Sequence, residues 1–165
     1  MSITATTKLN TDFGVFTVNH HEIEGVGIVS LSHGNLSSGR PLVRIQSACL
    51  FGQSLHSRHC NCRWQLDAAM SQIGVGDGVI VFSPRGEGKG AGLAMKIRAM
   101  DRERETGCGE TQAFLDLGLP SGDLREFSVE ARVLQELGVS KRIRMPTENE
   151  KKRRALLDAG FESTD

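Results

Sequence analysis

Residues 42–66 read LVRIQSACLFGQSLHSRHCNCRWQL, and two periodicities bracket three cysteines within them. Before Cys49, Val43, Ile45 and Ser47 alternate with Arg44, Gln46 and Ala48, the period of two that a strand requires. After Cys62, Leu66, Ala69, Met70 and Ile73 recur at i, i+3, i+4 and i+7, one face of a helix that Gly74 and Gly76 end. Between them the cysteines are spaced C-x10-C-x-C, with no fourth ligand nearby. Zinc takes four ligands, and structural sites fill all four with protein groups, so a three-thiolate set implies a position open to water. Water in such a position becomes a usable hydroxide near neutral pH, the start of hydrolytic chemistry. The same spacing also suits three unrelated core thiols or a disulfide, although Cys60 and Cys62 are too close for an unstrained mutual bridge.

Working outward, residues 15–18, 26–31 and 42–48 are short and β-branched, separated by turn residues such as His33-Gly34-Asn35, and read as strands. Pro41 opens the third of them, where its missing N–H does least harm. Residues 79–82 (VIVF) form a continuous apolar run, the pattern of a buried strand. A helix is expected from Leu93 to about Glu105 and another over 111–117. A third runs from Ser128, as N-cap, to Gly138, and a last one is capped by Thr147 and ends at Gly160. The expected fold is α/β (α+β): one domain over 1–165, with a mixed, mainly antiparallel sheet flanked by helices and frayed ends at 1–12 and 162–165.

A second chemical signal follows the buried strand. Residues 83–92 read SPRGEGKGAG and lead directly into a helix. Glycines let backbone N–H groups approach a phosphate, and a helix N-terminus adds its positive end. Arg85 and Lys89 bring positive charge, and Glu87 could meet a hydrated Mg²⁺ or a base edge. The order G-x-x-x-x-G-K-[ST] is absent, so this is not a Walker loop. Downstream, Asp123 and Arg125 form an Asp-x-Arg pair. Lys151, Lys152, Arg153 and Arg154 form a basic run that fits either phosphates or a solvated helix face.

Composition narrows the classes. Lysine and arginine total 20 and aspartate and glutamate 20, so no global pull toward nucleic acid or membrane is expected. Four cysteines without an apolar leader favour a reducing cytoplasmic setting over a disulfide framework. A zinc-ribbon nucleic-acid module would need a second cysteine pair and a basic surface.

These motifs, in this order, resemble the GTP cyclohydrolase II family. Its R-V-H-S-E-C-L-T-G-D appears as RIQSACLFGQ (44–53), its R-C-D-C-G-x-Q-L as HCNCRWQL (59–66), and its R-Q-E-G-R-G-I-G-L as RGEGKGAGL (85–93), followed by KIR (96–98). DLREF (123–127) matches D-E-R-D-F. The resemblance implies one Zn²⁺ per chain on Cys49, Cys60 and Cys62, and Mg²⁺ arriving with the triphosphate of GTP. It implies substrate contacts from Arg44, Ser47, Gln65, Glu87, Gly88, Lys89, Thr111, Thr147 and Lys152. It also implies Asp123 as proton acceptor, Arg125 as nucleophile, a homodimer, and a place in riboflavin synthesis. The reaction implied is hydrolytic opening of a purine imidazole ring with pyrophosphate release. The alternatives are a specialised homologue acting on another purine nucleotide, and a non-catalytic zinc-stabilised nucleotide-binding protein.

The chain also departs from the pattern. Gln46 and Ala48 replace a His and a Glu, Phe51 and Gln53 a Thr and an Asp, and His59 and Asn61 an Arg and an Asp. Met100 stands where the family has tyrosine, and the chain contains no tyrosine at all. A thioether cannot move a proton as a phenol does, so the expected product keeps its formyl group.

Overall fold

The computed structural model describes residues 2–164. A five-stranded sheet carries the order β1-β2-β3-β5-β4, built from β1 (Ile3–Thr11), β2 (Gly14–Ile23), β3 (Val26–His33), β4 (Leu42–Ser47) and β5 (Gly78–Ser83). The first three pair antiparallel and β3 pairs antiparallel with β5, whereas β4 runs parallel to β5. A parallel neighbour needs a crossover. Helix α1 (Cys62–Ile73) supplies it, packing Ala69 and Ile73 with Phe16, Leu42 and Ile80 on one face of the sheet.

Helices α4 (Ser128–Glu136) and α5 (Glu150–Asp158) cover the other face, where Val43, Ile45, Val79 and Val81 meet Val133, Leu134 and Leu156. Buried on both sides, Val79, Ile80 and Val81 are fully inaccessible, which is why β5 reads as an unbroken apolar run. Helices α2 (Leu93–Thr106) and α3 (Glu110–Asp116) pack on each other around Ala99, Ala113 and Phe114. Cys108 is half-buried against that cluster.

Several sequence expectations need correction. Residues 3–11, expected to fray, form the longest exposed strand, paired to β2 along its length. At the other end Glu162–Ser163 form β7, parallel to β6 (Arg142–Ile143), and the Thr164 N–H donates to the Ile143 carbonyl at 3.1 Å. Residues 1 and 165 lie outside the described residues. Ser128 is the first residue of α4 rather than its cap, a place taken by Phe127. The cap of α5 is Asn149, whose side chain accepts from the Lys152 N–H at 3.0 Å, while the Thr147 hydroxyl accepts from Asn149. Both residues suit an N-cap, and chain geometry selects the one nearer the helix.

The sheet order positions everything that follows. Because β4 and β5 are parallel neighbours, their carboxyl ends lie side by side at Ser47 and Ser83. Their outgoing loops, one with the cysteines and one with the glycines, therefore start from the same point. Open α/β sheets bind ligands at that edge.

Candidate functional site

The Ala48 N–H donates to the Ser83 carbonyl at 2.9 Å, joining the two loops at their origin. Beyond Cys49, residues Leu50–Ser54 make a single wide turn of helix, so the chain doubles back beside Cys60 and Cys62. The Gln53 side chain holds this turn, accepting from the Cys49 N–H at 2.9 Å and donating to the Ser47 carbonyl at 3.2 Å. The three sulfurs converge within 4.8 Å of one another, and Cys49 and Cys60 are 3.6 Å apart. Zinc–sulfur bonds of about 2.3 Å in a tetrahedron place sulfurs at close to that separation.

Electrostatics fit a cation as well. Burial pushes the Cys62 thiol up to about 12, and the neighbouring Cys60 and Cys49 push the same way. Burial also opposes ionisation of Cys49, but the Lys96 ammonium, the Gly52 N–H and the other two thiols hold it below its ordinary value. Three thiols crowded together resist losing all their protons, and a divalent ion at their centre would relieve that repulsion. Gly52 completes the cradle, because a Cβ there would lie 2.6 Å from Cys60 Sγ and 3.2 Å from Cys49 Sγ. Gly52→Ala is therefore expected to weaken metal retention at least tenfold. Metal content after dialysis checks this, and full occupancy would show that the cradle yields.

The cluster opens into a cavity of about 320 Å³. Arg44, Ser47, Gln65, Gly88, Lys89, Arg125 and Lys152 all line it, so the structure gathers six of the expected contacts and the expected nucleophile around the cysteines. Arg44 reaches across from β4, donating to Gln46 Oε1 at 2.9 Å and Gln65 Oε1 at 2.7 Å. A second groove of about 660 Å³ adjoins it, sharing Arg44, Gln65, Arg125 and Lys152 and adding Trp64, Thr147 and Arg153. Thr147 belongs to this groove rather than to the cysteine cavity.

Asp123 and Arg125 act as one unit. The Asp123 carboxylate accepts from Arg125 Nη2 at 2.5 Å, Nε at 2.8 Å and the backbone N–H at 3.0 Å. Burial would raise the Asp123 carboxyl, but these bonds hold it below the usual carboxylate range. Arg125 Nη1 remains directed at Ser47 Oγ, 3.3 Å away, at the cavity wall.

Other expected residues sit differently. Thr111 lines neither cavity and accepts instead from Lys89 Nζ at 3.3 Å, beside the 2.8 Å Lys89–Glu110 ion pair. Met100, on α2, lines neither cavity. The Glu87 carboxylate accepts from the Leu50 N–H at 2.6 Å and from Lys96 Nζ at 2.7 Å, so its side chain faces the protein rather than a bound ion. Lys96 is the residue that sequence reasoning passed over. It matched the K-I-R segment without any role, yet its ammonium lies 3.0 Å from Cys49 Sγ.

The GTP cyclohydrolase II family model matches residues 2–165, nearly the whole chain. The chain belongs to the GTP cyclohydrolase II family. Its relatives include the GTP cyclohydrolase-2 of Neisseria gonorrhoeae, 42% identical over 160 residues that cover 95% of this chain and 79% of that one. Those of Streptomyces coelicolor and Shewanella oneidensis are 40% and 39% identical, covering 90% and 96% of this chain and 66% and 78% of theirs. Among solved structures, a two-domain 3,4-dihydroxy-2-butanone 4-phosphate synthase from A. baumannii superposes with a TM-score of 0.53 over 97% of this chain. At 16% identity, with this chain spanning 37% of that one, the likeness establishes the fold alone. For a member of the GTP cyclohydrolase II family, the cysteine cluster is the natural place for a metal. No helix among the described residues is long and apolar enough to cross a membrane.

Proposed function

We propose that this chain opens the imidazole ring of a purine nucleotide, GTP above others, by zinc-dependent hydrolysis with release of pyrophosphate. One observation carries the reading: a three-cysteine cluster opens into a cavity that continues into a groove walled by Arg44, Arg125, Lys152 and Arg153. The cavity suits a base and the groove a chain of phosphates. Zinc held by Cys49, Cys60 and Cys62 would supply Lewis acidity and an activated water toward the purine C8.

The protein's own groups do the rest. Arg44 and Gln65, already paired, offer donors and acceptors to the base edge or ribose. Gly88 and Lys89 line the base cavity from the glycine loop, and Lys152 and Thr147 face the phosphates in the groove. Asp123 fixes the Arg125 guanidinium in one plane, and a guanidinium keeps its proton at any ordinary pH. We therefore read Arg125 as a clamp on the departing pyrophosphate rather than as a nucleophile. Asp123, ionised and engaged, orients that clamp. The same reading carries Mg²⁺ on the triphosphate, a homodimer, a reducing cytoplasm and a role in riboflavin synthesis.

The test is incubation of zinc-loaded protein with a panel of purine nucleotides, following guanine absorbance, pyrophosphate and product mass. GTP is expected to turn over and, with Met100 in place of tyrosine, to leave the formamide as the main product. Trp64, the only tryptophan, is 69% exposed and lies on the groove wall, so its fluorescence reports binding separately. A fluorescence response without turnover would make the protein a nucleotide binder rather than an enzyme.

A further inference from the structure

Lys96 is buried, 8% exposed, on the first turn of α2. Its ammonium lies between two partners, 3.0 Å from Cys49 Sγ and 2.7 Å from Glu87 Oε1. Glu87 is itself fixed by backbone, accepting from the Leu50 N–H at 2.6 Å and the Gly88 N–H at 3.2 Å. Leu50 directly follows Cys49, so one carboxylate ties the cysteine loop, the glycine loop and α2 together. The Phe51 ring closes the pocket, its centre 5.4 Å from the ammonium. Gly88 has φ +58°, and a Cβ there would come within 3.2 Å of Lys96 Cβ. A larger residue would push the loop off the lysine.

We propose that Lys96, locked in place by Glu87, is a positioning residue for the metal centre. It fixes the Cys49 sulfur in its ligand position and offsets the surplus negative charge that three thiolates leave on a divalent ion. The inference rests on the reading of Cys49, Cys60 and Cys62 as ligands. A buried ammonium is costly unless paired, and here both of its partners belong to the site. An N–H bond to a ligand atom fixes that ligand's orientation and tunes the metal, as the outer partners of metal-bound histidines do. Glu87 thereby acquires a role apart from substrate: it holds the lysine, and the lysine holds the sulfur.

The test is competition for zinc between the full chain and a chromophoric chelator, with circular dichroism confirming that each variant folds. Lys96→Met is expected to bind zinc about 10–100-fold more weakly, the range for loss of an outer partner. Lys96→Arg, which keeps the charge and the donor, should recover most of that loss, and Glu87→Gln should fall between. A Lys96→Met variant that holds zinc as tightly as the parent overturns the proposal. An arginine variant as weak as the methionine one also overturns it, since packing alone would then explain the effect. If Lys96→Met does not fold, Glu87→Gln decides, and unchanged affinity in that variant is an overturning result. A parent chain that takes up no zinc overturns the ligand assignment and this inference together. A parent that binds zinc regardless of residue 96 overturns the inference alone.

Discussion

Serine in place of Cys60 is expected to lower GTP turnover by on the order of 10³-fold, equivalent to ~4 kcal/mol of transition-state stabilisation. Metal content should fall with it. A serine hydroxyl keeps its proton at neutral pH and cannot substitute for a thiolate, leaving two sulfurs to hold the ion. The chemistry at stake is large, because a metal lowers the pKa of a bound water from 15.7 to about 7. The fold should survive. Cys60 is only half-buried and lies on a loop, and the surrounding backbone is held by bonds that need no metal. Those bonds include Ala48 N–H to Ser83 at 2.9 Å and Gln53 N–H to Cys49 at 2.9 Å. Thermal unfolding of the metal-free variant should therefore match that of the metal-free parent. Turnover and zinc content equal to the parent's would remove Cys60 from the ligand set. A parent that loses its fold when the metal is removed would instead make the metal structural.

The parts of the site that could be read in the chain are those carried by local order. Arg44, the cysteines and Gln65 fall within one strand–loop–helix stretch, and their spacing alone brings them close. The strands with one buried face were readable for the same reason. Strand β1 was not. Ile3–Thr11 reads ITATTKLNT, and eight of its nine residues are exposed, so burial imposed no alternation to recognise. Its order comes from pairing with β2 rather than from a pattern of its own.

The contacts that were missed all depend on the fold. Glu87 and Lys96 are separated by a glycine loop whose kink at Gly88 and Lys89, both at positive φ, turns the carboxylate back onto the helix. No spacing rule forecasts that return. Asp123 and Arg125 were visible as a pair, but the approach of Arg125 Nη1 to Ser47 Oγ, 3.3 Å away across 78 residues of chain, depends on the fold. Lys152 was the most obscured. In the run KKRR it looks like part of a solvated face, yet it is 7% exposed with Nζ 2.8 Å from the Ile45 carbonyl. One helical turn, started by the Asn149 cap, decides which of those four cations turns inward.

That inward turn has a cost that can be measured. Burial, followed by the nearby Arg44 and Arg125 cations, brings the Lys152 ammonium down from 10.5 to about 7. Because the folded value lies below the unfolded one, the unfolded chain binds more protons between these pH values. Stability therefore rises with pH from about 7 to about 10.5, and the penalty for charging Lys152 is felt in full below pH 7. Lys152→Met removes this penalty while keeping a similar volume. The variant loses one hydrogen bond to the Ile45 carbonyl, worth about 1 kcal/mol. The expected result is a variant more stable than the parent by about 1–3 kcal/mol at pH 6, with the advantage vanishing by pH 10. Function should move the other way. A triphosphate beside Lys152 would draw a proton onto the amine, converting the strained position into a charge-assisted contact that exists only with nucleotide bound. GTP affinity, read from Trp64 fluorescence, should fall at least tenfold in the variant, and in the parent it should weaken as pH climbs above 7. Thermal unfolding of both proteins from pH 6 to 10 checks the first half. A parent whose stability is flat across that range, or a methionine variant less stable at pH 6, would show that Lys152 carries no penalty. Equal GTP affinity in the two proteins would show that the amine does not meet the phosphates. Stability spent on a buried cation, and recovered only when a polyanion arrives, is what a site built to prefer the loaded state requires.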